Sequence, residues 1–245
     1  VNFKRIVKSI LPLQARQWLR RQPLRLAQHL RWDGFIFDRT TPTDVHWGGK
    51  RGTVIDRYYI EHFLAEHALD VHGRVLEFGS DVYARKYGSD RVQRIDVLDL
   101  GVENPHATIV ADLNHGDELP AGAFDCIICT QVLLLVYDLR AAIASLHRML
   151  KPGGVLLLTS PGIQKISRGD MEIGGDFWRF TPLAINKLLE EAFPSDRIKI
   201  ETFGNALTAS GFLHGLAVED IQPMDMDTRD SRFPVSICAR AVKPL

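Results

Sequence analysis

Four acids recur at intervals that suit a polar ligand laid across the edge of a sheet: Glu77, Asp96, Asp99 and Asp112. Glu77 is followed closely by Gly79, and glycine lets a backbone approach a ligand while the carboxylate accepts from a donor such as an ammonium group. Asp96 comes about twenty residues later, a spacing that places an acid against ribose hydroxyls. Its strand is expected to finish there, which favours Asp96, with Asp99 as the alternative. Asp112, followed by Leu113, offers an acceptor for an adenine amino group. Gln131 closes the apolar run that begins at Phe124 and would border the group being transferred.

The elements that must position these residues are short and apolar. Strands are expected at 74–78, 92–97, 107–110, 124–130, 155–160, 198–203 and 234–240, with helices over 55–69, 139–150 and 182–192. Continuous runs such as Cys126-Ile127-Ile128 and Leu156-Leu157-Leu158 belong in a parallel sheet covered on both faces. Strands alternating with helices imply a doubly wound α/β fold, in which ligands bind outside the carboxyl ends of the strands. Thr181 suits a helix cap and Pro182 the first helical position. Residues 204–230 form an insertion before the last strand, expected to hold a helix over 206–220 and a mobile acidic loop over 225–230. Residues 1–54 read as a basic extension and loop. Lys4, Arg5, Lys8, Arg16, Arg20, Arg21, Arg25 and Arg31 occur there with no acid between residues 4 and 31. Packing of its Leu and Trp onto the domain, arginines in water, is preferred over contact with phosphates or a membrane surface.

The 245 residues are 45% hydrophobic and 24% charged, enough for one catalytic-size domain, and the formal charge is zero. Zero net charge supplies no global attraction for nucleic acid. Cys126 and Cys129 have CxxC spacing, but a strand turns residues three apart to opposite faces, and no second pair completes a metal site. No transmembrane segment and no signal-peptide core stand out, so a cytoplasmic protein is expected. Two nucleotide cofactors fit a crevice of this kind. A dinucleotide wants a glycine-rich turn around its pyrophosphate. The turn Gly79-Ser80-Asp81-Val82-Tyr83 has one glycine and adds an acid beside Glu77. S-adenosylmethionine carries an ammonium and a sulfonium, for which carboxylates are an asset, and charge selects it.

Val75-Leu76-Glu77-Phe78-Gly79, Asp96, Asp112-Leu113, Phe124-Asp125-Cys126-Ile127-Ile128 and Leu150-Lys151-Pro152-Gly153-Gly154-Val155 follow one another in order and spacing. In these the chain resembles the class I S-adenosylmethionine-dependent methyltransferases over roughly residues 55–241. The resemblance implies a Rossmann-like, seven-stranded, mostly parallel sheet with an antiparallel last strand. The departure lies in the glycine-rich turn, where Asp81 and Tyr83 replace glycines. Gly52-Thr53-Val54-Ile55-Asp56-Arg57-Tyr58-Tyr59 and Asp176-Phe177-Trp178-Arg179-Phe180-Thr181-Pro182 are similar to flanking segments of bacterial methyltransferases of glycan or glycoside biosynthesis. That similarity implies a sugar hydroxyl as acceptor and association with a glycosyltransferase. By the same resemblance Arg57 meets the methionine carboxylate and a tyrosine, Tyr58, lines the methyl channel.

Methyl transfer to a hydroxyl is an in-line displacement that benefits from alignment and from a base or cation at the acceptor oxygen. Asp176, His214 and Glu172 are the candidates for that catalytic role, with His46, His62 and Asp170 also in segments able to cover the crevice. The stretch Asp170 to Asp176 could bind several hydroxyls or hold Mg²⁺ through oxygen ligands, and Trp178 and Phe180 offer faces for a pyranose. His147 reads as a packing residue. Methylation of another small molecule at nitrogen or carbon, or an adenosyl-binding domain without catalysis, are the alternative functions; oligomeric state is left open.

Overall fold

The computed structural model describes residues 40–245 apart from Val102. The basic arm lies outside the described residues. Thr43–Leu245 forms one compact unit. Its sheet contains β1 (Gly73–Phe78), β2 (Val92–Asp99), β3 (Ile109–Val110), β4 (Phe124–Thr130), β5 (Leu150–Pro161), β6 (Ile198–Phe203) and β7 (Ser236–Val242). The order is β3-β2-β1-β4-β5-β7-β6. The first five strands run parallel, and β7 lies antiparallel between β5 and β6. The chain winds outward from β1 to β3 and returns to β4 beside β1. This reversal opens a crevice at the carboxyl ends of β1 and β4.

The helices are α1 (Ile55–Glu66), α2 (Val82–Gly88), α3 (Leu139–Met149), α4 (Arg168–Ile173), α5 (Pro182–Glu190), α6 (Ala206–Leu213) and α7 (Pro223–Asp227). On one sheet face α3 and α5 bury Ala142, Ile143, Leu146, Ile185 and Leu189 against Leu76, Ile127, Leu156, Leu158 and Ile237. The alternate residues Val75, Cys126, Ile128 and Leu157 are also fully buried, on the opposite face, where α1 packs on β7 and α2 on β1 and β2. Burial on both faces explains why these strands are apolar throughout. Each large side chain removed from water contributes about 1.5–3 kcal/mol. All three cysteines are free and buried, and burial pushes the thiols of Cys126 and Cys129 up. His147 packs edge-on against Phe193 at 4.8 Å.

Caps follow the sequence closely. The Thr181 hydroxyl accepts from Ala184 N at 3.2 Å, with Pro182 in the first turn of α5. β3 is confined to Ile109–Val110, β5 begins already at Leu150 and β7 runs Ser236–Val242, and four further departures from expectation stand out. The helix expected over 55–69 stops at Glu66. The strand expected to finish near Asp96 continues to Asp99, because β3 pairs with Leu98 and Asp99. The helix expected over 206–220 stops at Leu213, where Gly215 takes φ +71°. The acidic stretch expected to be a mobile loop instead begins with α7 and is docked: Asn205 Nδ2 donates to Asp225 O at 2.7 Å and Thr228 O at 2.8 Å.

Residues 43–54, expected in the extension, are tied to the domain. Thr43 N donates to His214 O at 2.8 Å, Arg51 pairs with Asp220 at 2.7 Å, and Val54 bridges Ala217. Among the described residues no helix is long and apolar enough to cross a membrane.

Candidate functional site

The turn after β1 is built around Glu77. Its carboxylate accepts from Tyr83 N at 3.1 Å and Ala84 N at 2.7 Å, satisfying orphan amides in the first turn of α2. Burial raises the Glu77 carboxyl above its ordinary range despite those amides. Glu77 therefore holds the turn in shape, and both its oxygens are engaged within the protein. Gly79 takes φ +71°, and a Cβ added there would meet nothing within 4 Å. The side of its Cα where a side chain would stand faces open space, as a close approach by a ligand requires. Asp81 is pinned by Arg85 Nε at 2.6 Å, which removes much of the free negative charge expected from it.

Asp96 and Asp99 lie on opposite faces of β2 and have different surroundings. Asp96 is 1% exposed. It accepts from Arg74 Nε at 2.7 Å, Arg94 Nη2 at 2.8 Å and Thr108 Oγ1 at 3.2 Å. Burial works to raise the Asp96 carboxyl, and the two guanidinium groups outweigh it, holding it low. Its place inside the strand and its full set of donors make Asp96 a structural ion-pair centre, contrary to the expectation that it stands at the strand's end. Asp99 ends the strand. It accepts from Gly101 N at 3.0 Å and Asn104 Nδ2 at 2.6 Å, bonds that hold its carboxyl low. The same Asn104 amide donates to Gly79 O at 2.8 Å, tying the end of β2 to the β1 turn. Asn104 went unnoticed in the sequence, where an Asn in a loop carries no signal.

Two further strand ends complete the crevice. After β3, Asp112 accepts from Asn114 N at 2.8 Å, and Leu113 is 3% exposed, its carbonyl bonded to Ser145 Oγ. After β4, Gln131 has φ +54°, a left-handed conformation that costs a non-glycine residue about 1–2 kcal/mol. Both its amide atoms are buried and have no hydrogen-bond partner. The buried hydroxyls of Thr159, Ser160 and Ser236, at the end of β5 and the start of β7, also lack partners. Such groups lose about 1–3 kcal/mol each when nothing satisfies them, so they mark where a polar ligand or water belongs.

The start of α1 closes the other side. Arg57 Nη1 donates to the Tyr83 hydroxyl, and its guanidinium lies 5.4 Å from the centre of that ring. Among the described residues Arg57 has no carboxylate at ion-pair distance, so its charge is available to an anion. Tyr58, expected to line the channel, turns away: its hydroxyl donates to Asp227 Oδ1 at 2.7 Å, a bond that pushes the phenol up to about 12. The Asp56 carboxyl accepts backbone N–H groups of its own turn, and burial raises it.

A family model described as a methyltransferase domain matches residues 54–192, the span that runs from α1 through the crevice to α5. The chain belongs to the methyltransferase-domain family. No curated protein matches its sequence. Solved structures share the fold at low identity. A SAM-dependent methyltransferase from Archaeoglobus fulgidus is 15% identical, with TM-score 0.51, 76% of this chain and 94% of that chain covered. The N-methyltransferase NodS from Bradyrhizobium japonicum is 18% identical, with TM-score 0.51 and 80% and 90% covered. The cyclase SpnF is 16% identical, with TM-score 0.52 and 80% and 85% covered.

The acceptor side of this methyltransferase domain departs from the sequence expectation. Asp176, the first catalytic candidate, has a fully buried carboxylate held by Arg179 at 2.5 and 2.8 Å and by Ser167 N at 2.8 Å. Arg179 holds the Asp176 carboxyl below the ordinary value. Asp176 is a strap for residues 162–180, with both its oxygens engaged by Arg179 and one of them also by Ser167 N. Glu172 is exposed on α4. His214 caps α6, and its carbonyl receives Thr43 N. These three residues do not converge, and among the described residues the stretch Asp170 to Asp176 forms no metal-ligating group. Glu66, His67 and Glu201 do cluster, but Arg229 and Lys199 already occupy their carboxylates.

Phe180, expected to offer a face to a sugar, is 7% exposed and joins the core. Trp178 donates its Nε1 to Val136 O at 3.0 Å. The accessible rings are Tyr137 and Phe177, 71% and 45% exposed. They meet edge to face at 5.4 Å, with Phe177 N bonded to Leu134 O just beyond β4. Sequence reading missed Tyr137 because nothing near it in the chain shows that residues 162–180 fold back onto the segment after β4.

Proposed function

We propose that this methyltransferase domain carries the methyl group of S-adenosylmethionine to a hydroxyl of a carbohydrate-containing molecule: a glycan, glycolipid or glycoside. The observation that carries the reading is that the connection following β4 holds both a buried, unpartnered Gln131 amide and, further along, Tyr137 of the exposed Tyr137–Phe177 ring pair. Sugars present hydroxyls to groups of the first kind and C–H faces to groups of the second.

The residues present fit the cofactor. Gly79 leaves room for it, Asp99 can accept from ribose hydroxyls, and Asp112 stands at the adenine end beside Leu113. Arg57 can pair with the amino-acid carboxylate, and Gln131 can bond near the sulfonium. When bound, S-adenosylmethionine supplies an electrophilic methyl carbon. Glu77 and Asn104 keep the crevice in shape by fixing α2 and the β2 end. Asp56, beside Arg57 at the start of α1, has a carboxyl raised by desolvation against the pull of the Arg57 charge, and that raised carboxyl suits it to take the acceptor's proton. Alignment and exclusion of water by α1 and residues 162–180 supply the rest.

Incubating the protein with radiolabelled S-adenosylmethionine and a panel of glycosides, with amine and thiol acceptors alongside, tests the reading. Label entering a glycoside hydroxyl, with KM raised by Phe177→Ser, is expected. Label entering amines while every glycoside stays unlabelled would contradict it.

A further inference from the structure

We infer that Ser145, in the middle of α3, is a positioning residue for the cofactor's base: by seating the loop after β3 it aims Asp112 at an amino group and so selects adenine over a 6-oxopurine, a selection that rests on the S-adenosylmethionine reading above. A serine inside a helix commonly returns its hydroxyl to the carbonyl one turn back or points it to solvent. Ser145 instead is 4% exposed, and its Oγ donates at 2.8 Å to the carbonyl of Leu113, far upstream in the chain. Ala141 and Ala142 lie one turn before it on the same helix face, so that face is a notch of small side chains. The short turn Gly116–Glu118 packs there. A Cβ at Gly116 would stand 2.4 Å from Ser145 Oγ and 3.6 Å from Arg148 Nη2, so glycine is what lets the turn sit this close.

The loop is thus anchored to α3 at Leu113 and at Gly116, just after Asp112, and the bonds between fix how that acid stands. Asp112 Oδ1 accepts from Asn114 N at 2.8 Å and Asn114 Nδ2 at 2.9 Å, while the Asp112 carbonyl accepts from His115 N at 3.0 Å. Its other oxygen, Oδ2, accepts no hydrogen bond among the described residues; His115 Nδ1 lies 3.7 Å from it. A carboxylate held by one oxygen offers the other to a donor. The 6-amino group of adenine is such a donor, whereas the 6-oxo group of hypoxanthine is a second acceptor. A site built to accept a hydrogen bond rejects the analogue that cannot give it. Ser145 bonds to the backbone next to Asp112 and acts through it.

The test is titration calorimetry of the whole chain with S-adenosylhomocysteine and its deaminated counterpart, S-inosylhomocysteine. The wild type is expected to bind the adenosyl ligand about tenfold tighter or more. Ser145→Ala, which keeps a good helix former in α3, should cut that preference to within about threefold and leave the inosyl affinity nearly unchanged. Because Ser145 works through Asp112, the same substitution in an Asp112→Ala background should have no further effect on the adenosyl ligand, whereas a general loosening of the fold would weaken both ligands and add to the Asp112 loss. Hydrogen exchange of the unaltered protein gives a reading that needs no variant: the Asn114 and His115 amides should slow with the adenosyl ligand more than with the inosyl one. No binding of either ligand at millimolar concentration would overturn the inference together with the cofactor reading. Equal binding of the two by the wild type, or equal protection of those amides, would overturn the inference and leave the cofactor reading standing. An undiminished preference in folded Ser145→Ala, or an equal loss for both ligands, would overturn the role of Ser145 alone.

Discussion

Asp56 and Arg57 sit side by side at the start of α1, yet their surroundings differ. Arg57 leans on the Tyr83 ring, with no carboxylate at ion-pair distance among the described residues. Asp56 is half-buried, and its desolvation lifts its carboxyl above the ordinary value of 3.8. A base acts when deprotonated, so kcat should fall as pH drops through that raised value. Asp56→Asn should lower kcat by about 10²- to 10⁴-fold and flatten the acidic limb of the profile. An unchanged profile would remove Asp56 from the chemistry. At this scale the sequence located Glu77, Gly79 and Gln131 at strand ends, because apolar runs mark where strands stop. It favoured Asp96 over Asp99, because pairing of Leu98 and Asp99 with β3, which carries the strand on to Asp99, has no signal in the sequence. It also could not show that Asp176 is consumed by Arg179. The i,i+3 spacing of that pair is a signal in principle, but its meaning depends on burial.

The element that most depends on one such pair is the stretch 162–180. Arg179 donates to Gln164 O at 3.0 Å and Lys165 O at 2.6 Å while clamping Asp176, and so closes the stretch on itself. Breaking a buried pair while leaving one charge in place costs about 3–5 kcal/mol. Asp176→Asn should therefore lower unfolding free energy by about that amount at pH 7, measured by urea denaturation. The depressed carboxyl stabilises the fold fully above its unfolded value of 3.8 and loses that contribution as pH falls through the lower folded value. The gap between the wild type and Asp176→Asn should thus shrink at strongly acidic pH. A large loss of kcat at unchanged stability would return Asp176 to a catalytic role. Elements with local signals were legible: the cap and proline of α5, the apolar cores of β4 and β5. Those set by long-range docking were not, and α7 is the clearest case. Its acidic composition suggests a solvated loop, yet Tyr58 and Asn205, distant in sequence, hold it in place.

At the scale of the whole molecule, the doubly wound sheet brings Gly79, Asp99, Asp112, Gln131 and α1 to one rim although they span much of the chain. This gathering is what binding should stabilise. Saturation at about 100 times Kd adds about 2.7 kcal/mol to the folded state. The rim was legible as a place, from strand order and alternating pattern, while its exact lining was not, because side-chain pairing decides which acids remain available. Titration calorimetry with S-adenosylmethionine, comparing wild type with Asp99→Ala, tests the central claim most directly. The wild type is expected to bind, and loss of the Asp99 acceptor should weaken binding by about tenfold or more, with the unfolding midpoint little changed. No heat of binding at millimolar cofactor, or equal affinity for wild type and a folded Asp99→Ala, would contradict the account.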